Sequence, residues 1–231
     1  MREIISIVFA LSYLFGLDVY SGGELSDNQK AIDVTHYDIN LKVDPSRKII
    51  LGRVEITFLL EEQPKNFEFD LIDSLKVSEV SINEMILSFY QKNNKIVISN
   101  PGFEIGKTYS AVIEYGGEPP VANNPPWVGG FSWEKSEDGR PWVGVSCQAN
   151  GAYIWYPCKE HPSDKSNGAK ISITVPEPLV VASNGLLASI ESVGNKWKTW
   201  TWETQYSISP YNINFTVGNF KKVEKTIYLI D

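Results

Sequence analysis

Between Val34 and Val43, apolar Tyr37, Ile39, Leu41 and Val43 alternate with polar His36, Asp38, Asn40 and Lys42. That period of two predicts a strand with one buried face. The same period sets Val54, Ile56 and Phe58 against Arg53, Glu55 and Thr57, and it returns in Phe67, Phe69 and Leu71, in Val80 and Ile82, and in Ile96 and Ile98. Asp44–Arg47 predicts the turn between the first two strands, and Asn93-Asn94 predicts a hairpin between Phe89-Tyr90 and Ile96. Thr108–Tyr115 is a further strand, after which the prolines and glycines of 116–130 leave no regular element. Strand patterns resume at Ile171–Val175, Leu179–Ala182, Lys196–Glu203 and Asn212–Gly218. Trp200 and Trp202 share one face of their strand and Trp197 takes the other. No stretch holds helical spacing over a helix's length. The expected fold is all-β, an antiparallel multi-stranded sandwich or saddle.

Composition adds boundaries. Apolar residues are 42% of 231, enough for a sizeable core, and charged residues at 21% do not suggest disorder. A net charge of −7 with scattered lysines argues against a nucleic-acid partner, which would need clustered cations. Arg2, the apolar run Ile4–Leu17 and the small residues Ser21-Gly22-Gly23 read as an export signal, with Val19 and Ser21 suited to the −3 and −1 positions of a cleavage site. A first core helix or strand is the alternative. The run is too short for a confident membrane span, so no stable membrane anchor is expected. The resulting division is a signal over 1–21, a polar linker over 22–30 and a β domain over 31–231, with a periplasmic or extracellular location. The last residues, Thr226 to Asp231, read as a strand without a polar tail, which hints at truncation. Cys147 and Cys158 are too few for a disulfide framework; a bond between them is open, and two buried thiols are the plainer reading.

Candidate chemistry is sparse. His36 sits on the polar face of a strand, and His161 near Cys158 matches no common zinc spacing. There is no His-Glu-x-x-His, no Gly-x-Ser-x-Gly elbow and no glycine-rich phosphate loop. Glu61-Glu62 reads as a solvated turn, and Asn214-Phe215-Thr216 fits a glycosylation pattern inside a strand-like run. The informative stretch is 129–187, which reads as a loop-rich aromatic surface. In it, Gln148 lies between Cys147 and Ala149, small neighbours that would let a ligand approach closely; an ordinary surface glutamine is the competing reading.

The ordered motifs of this stretch carry a resemblance. Gly129–Glu134, Ser146-Cys147-Gln148-Ala149, Trp155-Tyr156-Pro157-Cys158-Lys159-Glu160-His161-Pro162 and Ser183-Asn184-Gly185, followed by Tyr211–Phe220, occur in this order. They resemble the N-terminal domain of the aminopeptidase N and leukotriene hydrolase family of zinc peptidases, over roughly Ala31 to Phe220. The resemblance implies a β saddle beside a catalytic domain, which is the expected partner and which would carry the zinc. No zinc or other cofactor is expected in this chain. It also implies that Gln148, at the Cys-(Glu/Gln)-Ala position, binds the free amino terminus of a peptide substrate, with Ser146 and Ala149 beside it. Ser146 stands where many members have Gln, Glu160 replaces Asp, Tyr153 replaces Arg, and Asn219 replaces Asp. The implied function is substrate anchoring in an exported zinc aminopeptidase, with this chain inactive alone. Two other readings remain. One is a stand-alone exported module that binds peptide or glycan through its tryptophans, with Trp127, Trp133, Trp142 and Trp155 as the surface candidates. The other is a truncated relative acting as a decoy.

Overall fold

The computed structural model describes residues 21–125, 127–221 and 223. The apolar run of the proposed export signal and the strand expected at 226–231 lie outside the described residues.

The alternating segments become strands. They are β1 (Ile32–Asp44), β2 (Ile49–Leu60), β3 (Asn66–Asp70), β4 (Leu75–Ile82), β5 (Met85–Ile86), β6 (Phe89–Lys92), β7 (Lys95–Ser99) and β8 (Thr108–Gly117). After the proline-rich loop come β9 (Gly130–Lys135), β10 (Pro141–Ser146), β11 (Ala169–Pro176), β12 (Val180–Ser183), β13 (Leu186–Ser192), β14 (Trp197–Thr204) and β15 (Phe215–Gly218). They form an eight-stranded sheet in the order β13-β14-β11-β1-β2-β8-β4-β5, a four-stranded sheet β12-β15-β10-β9 and a three-stranded sheet β3-β7-β6. The fold is all-β, as expected. The predicted turns are present: the Asp44 carboxylate accepts from the backbone N–H of Ser46 and Arg47, and Asn93 and Asn94 both take positive φ between β6 and β7.

No strand was expected at β5, β9, β10 or β13, and three further features depart from the sequence reading. First, β1 pairs with β11 in parallel, Tyr37 opposite Ala169, within an otherwise antiparallel sheet. Second, the stretch 22–30 is not a free linker, because it contains a short helix, α1 (Asp27–Lys30). Ser26 and Gln29 form a capping box there, and buried Gln29 donates to the Asp70 carboxylate at 2.7 Å. Third, the strand expected over Asn212–Gly218 begins only at Phe215, and Pro210–Asn212 forms a 3-10 turn.

One apolar core joins the inner faces of the three sheets. Phe58 of β2 meets Phe67 of β3 at 5.5 Å between ring centroids, tying the smallest sheet to the largest. The tie to the four-stranded sheet is the segment 155–160. Trp155 packs edge-on against Phe215 of β15 at 5.2 Å, and Tyr156 packs edge-on against Tyr37 of β1 at 5.6 Å. Tyr115 of β8 donates its hydroxyl to the Trp155 carbonyl at 2.8 Å. The loop expected on the surface is therefore the plug between two sheets, and Trp155 is fully buried. Of the tryptophans placed on the surface, Trp133 and Trp142 are half-buried and only Trp127 stands well out, 71% exposed.

Candidate functional site

The Ser146–Gly151 segment leaves the end of β10 and reverses direction. Asn150 N and Gly151 N both donate to the Cys147 carbonyl, at 3.1 and 2.7 Å. Closing so tight a turn puts Ala149 at φ +64, in the left-handed region. The turn is held against the proline-rich loop. Gly129 N donates to the Gln148 carbonyl at 2.8 Å, and the Asn150 side-chain amide donates to the Gly129 carbonyl at 3.1 Å. Gly129 is required by this approach, since a Cβ there would lie 2.6 Å from the Ser146 carbonyl oxygen.

The far side of the turn is fixed by Glu160. Its Oε2 accepts from Ala152 N at 2.5 Å and from Tyr153 N at 3.3 Å, and its Oε1 accepts from the Ser21 hydroxyl at 2.8 Å. Burial pushes the Glu160 carboxyl above the ordinary carboxylate range, against the lowering effect of these donors. Cys147 and Cys158 are free, buried thiols. Burial, then the charge of Glu160, pushes the Cys147 thiol up to about 12, and the same two causes raise Cys158 well above its usual range. Neither is a nucleophile at neutral pH.

On this rigid turn only the Gln148 side chain is exposed to solvent. Its Oε1 accepts a hydrogen bond from the Tyr211 hydroxyl at 2.9 Å. Ser146 is half-buried, and its hydroxyl accepts from Gln148 N at 3.4 Å. Ala149 contributes the backbone conformation that turns Gln148 outward. Val145, Ser146, Cys147, Gln148, Tyr211, Asn212 and Asn214 line an open groove of about 380 Å³. The groove offers hydroxyl and amide groups and no carboxylate, so it can accept hydrogen bonds from a cation without neutralising it. Asn214 is not a free glycosylation acceptor, since its amide donates to the Val145 carbonyl at 3.1 Å.

The histidines lie apart from this groove. His161 Nδ1 lies 2.6 Å from the Ser163 hydroxyl, and His36 is half-buried on β1. Among the described residues no three His, Cys, Asp or Glu side chains converge to hold a metal. Sequence reasoning singled out Gln148, Ser146 and Ala149; it named Glu160 only as a departure from the family motif and gave Tyr211 and Asn150 no role. Tyr211 was visible only as the first residue of the closing motif.

The model of the Peptidase M1 N-terminal domain matches residues 33–212. This chain belongs to that family. A mutant M1 zinc metallopeptidase from Deinococcus radiodurans, solved with a Tyr-Ser-Ala substrate, is 25% identical with a TM-score of 0.70; the match covers 87% of this chain and 46% of that one. A two-domain M1 zinc metallopeptidase bound to L-arginine is 26% identical with a TM-score of 0.72, over the same shares. Leucine aminopeptidase 2 of Vanderwaltozyma polyspora is 25% identical over 83% of this chain and 29% of its own length. The leukotriene A4 hydrolase of Saccharomyces cerevisiae shares the fold, with a TM-score of 0.67 at 21% identity. The chain thus spans less than half the length of these relatives, whose remaining parts have no counterpart in the match.

Proposed function

We propose that this domain anchors the free amino terminus of a peptide in an exported zinc aminopeptidase, and that it does not hydrolyse peptides by itself. One observation carries the reading: on a turn fixed from both sides, Gln148 presents a hydrogen-bonded amide to an open groove. A carbonyl oxygen so placed accepts from an ammonium group. The reading assigns the metal named in the relatives, and the hydrolytic step, to a catalytic partner; among the described residues no three His, Cys, Asp or Glu side chains are grouped to hold a metal. The relatives solved with L-arginine and with a Tyr-Ser-Ala peptide agree with an amino-terminal ligand.

The surroundings of Gln148 agree with a covering partner. Trp127, Val128 and Val121, on the loop bonded to the Gln148 backbone, are 71%, 40% and 57% exposed. Apolar side chains left in water beside a binding group are what a neighbouring catalytic domain would bury.

Two measurements test the reading. An antibody to this domain should detect a product several times larger than this chain in the envelope fraction or the medium of its source cells. In that protein, Gln148→Ala should raise KM for an amino-acid 4-nitroanilide by about tenfold or more, the worth of one hydrogen bond to a charged group. A product of this chain's own size would move the decoy and stand-alone binding readings ahead. An unchanged KM would remove Gln148 from the mechanism.

A further inference from the structure

We infer that Tyr211 is the positioning residue that makes Gln148 an acceptor for the substrate ammonium, an inference that rests on the anchoring function above. A glutamine amide has two nearly equivalent orientations about its last torsion. One turns oxygen toward a given point and the other turns the NH₂ group there. For an ammonium ligand, which only donates, the second orientation is repulsive. A glutamate at this position would not face the choice, since both its oxygens accept. Gln148 therefore needs a neighbour that biases the orientation, and the Tyr211 hydroxyl, 2.9 Å from Oε1, can do so through its proton: a phenol oxygen would also accept from the amide NH₂, but only the orientation with oxygen toward Tyr211 gives that proton an acceptor within the protein.

Both ends of that hydrogen bond are built on fixed backbone. Tyr211 lies in the Pro210–Asn212 turn, whose first carbonyl accepts from the buried Tyr156 hydroxyl at 3.1 Å and from Ile213 N at 3.1 Å. The next residues are tied down as well: Asn214 N donates to the Asn184 side-chain oxygen at 2.7 Å, and the Ser183 hydroxyl donates to the Asn214 carbonyl at 2.6 Å. Gln148 is held by Gly129 on the opposite side. The contact is made at the surface, between side chains carried on two independently hydrogen-bonded segments 63 residues apart. Among the described residues, Oε1 is the only acceptor shown for the Tyr211 proton. Partial burial raises the Tyr211 phenol above its ordinary range, which keeps that proton on the oxygen at neutral pH. One Oε1 lone pair is then occupied and one remains for the ligand. The phenol oxygen, which still has acceptor capacity, sits beside it.

The test is a double-mutant cycle in the protein expressed from its own gene, with Tyr211→Phe and Gln148→Glu alone and together, and Gln148→Ala as control. Tyr211→Phe should raise KM for an amino-acid 4-nitroanilide by about tenfold with kcat changed less than about twofold, the pattern of lost ground-state binding. In the Gln148→Glu background, Tyr211→Phe should change KM by less than about twofold, because a carboxylate accepts whichever way it turns. Equal KM effects in both backgrounds, or a fall in kcat alone, would overturn the inference. A raised KM in Gln148→Ala with a silent Tyr211→Phe would overturn the role of Tyr211 and keep that of Gln148. No KM change in Gln148→Ala would overturn the anchoring function itself. Nitrogen-15 NMR on this chain gives a readout that needs no catalysis. Tyr211→Phe should shift the Gln148 side-chain amide pair and lower its order parameter, and an unmoved pair would sink the positioning role.

Discussion

Replacing Glu160 tests how the site is held. Its carboxylate accepts from two backbone N–H groups, Ala152 and Tyr153, from the Ser21 hydroxyl, and from the Cys158 thiol at 3.5 Å, all on or beside the plug between the sheets. Among the described residues it has no cationic partner. Glu160→Ala removes the acceptor of the buried Ala152 N–H, at about 1–3 kcal/mol, and one acceptor of Tyr153 N. Tyr153 N lies at 3.3 Å and gives the smaller share. Against this, the variant removes a buried charge whose raised pKa shows that burial opposes it. The balance is a loss of about 2–4 kcal/mol. With an m-value of about 2 kcal/mol per molar urea, the midpoint should fall by about 1–2 M at pH 7. Glu160→Gln should cost under about 1 kcal/mol, since its oxygen can face Ala152 N–H while its NH₂ faces the Ser21 hydroxyl, which can accept. The pH dependence carries a sign. A carboxyl with a raised folded-state pKa binds its proton more tightly folded than unfolded, so its share of stability is greatest in acid and declines as pH rises above about 4.3. Glu160→Gln should remove that decline. Urea curves for the three proteins at pH 4.5 and pH 7 decide the matter. A loss below about 0.5 kcal/mol in Glu160→Ala, or a Glu160→Gln as damaging as the alanine, would refute the argument.

Three further outcomes follow from the same geometry. Gly185 has φ +85, and a Cβ there would lie 1.9 Å from the Glu203 carbonyl oxygen, so Gly185→Ala should cost upwards of about 2 kcal/mol in urea unfolding. Burial pushes Asp164 up to about 6, so its share of stability should likewise fall as pH rises between about 4 and 6; Asp164→Asn should flatten that part of a melting-temperature profile. Cys147, with its thiol pushed up to about 12, should react with an aromatic disulfide reagent at pH 8 roughly a thousandfold more slowly in the folded chain than in urea.

Much of the fold was legible because alternation is a local signal. Tyr37, Ile39, Leu41 and Val43 are buried as their spacing predicts, and the Asn93-Asn94 turn follows from residues that tolerate positive φ. What alternation cannot show is which neighbour a strand takes. The β1–β11 parallel pair joins residues more than a hundred positions apart, and either strand would show the same pattern beside an antiparallel partner. The helix α1 left a different trace. Ser26-Asp27-Asn28-Gln29 carries the capping-box spacing, yet four residues are too few for a helical period to appear.

The site divides along the same line. Gln148 could be singled out from its small neighbours and from a family motif, both contained in a few consecutive residues. The features that give Gln148 a direction are not local. Gly129 lies 19 positions before it and Tyr211 lies 63 after, and each reaches the turn only because β9, β10 and β15 lie side by side in one sheet. The 155–160 segment makes the same point from the opposite side. A proline, an aromatic pair and charged residues look like a surface loop because they have no period. Yet their burial is set by two sheets closing over them, and the charges persist there because Lys159 finds Asp164 at 3.3 Å while Glu160 finds backbone donors. A residue's type announces the chemistry available to it, and its long-range partners decide whether that chemistry is spent on folding, as with Glu160, or left facing a groove, as with Gln148.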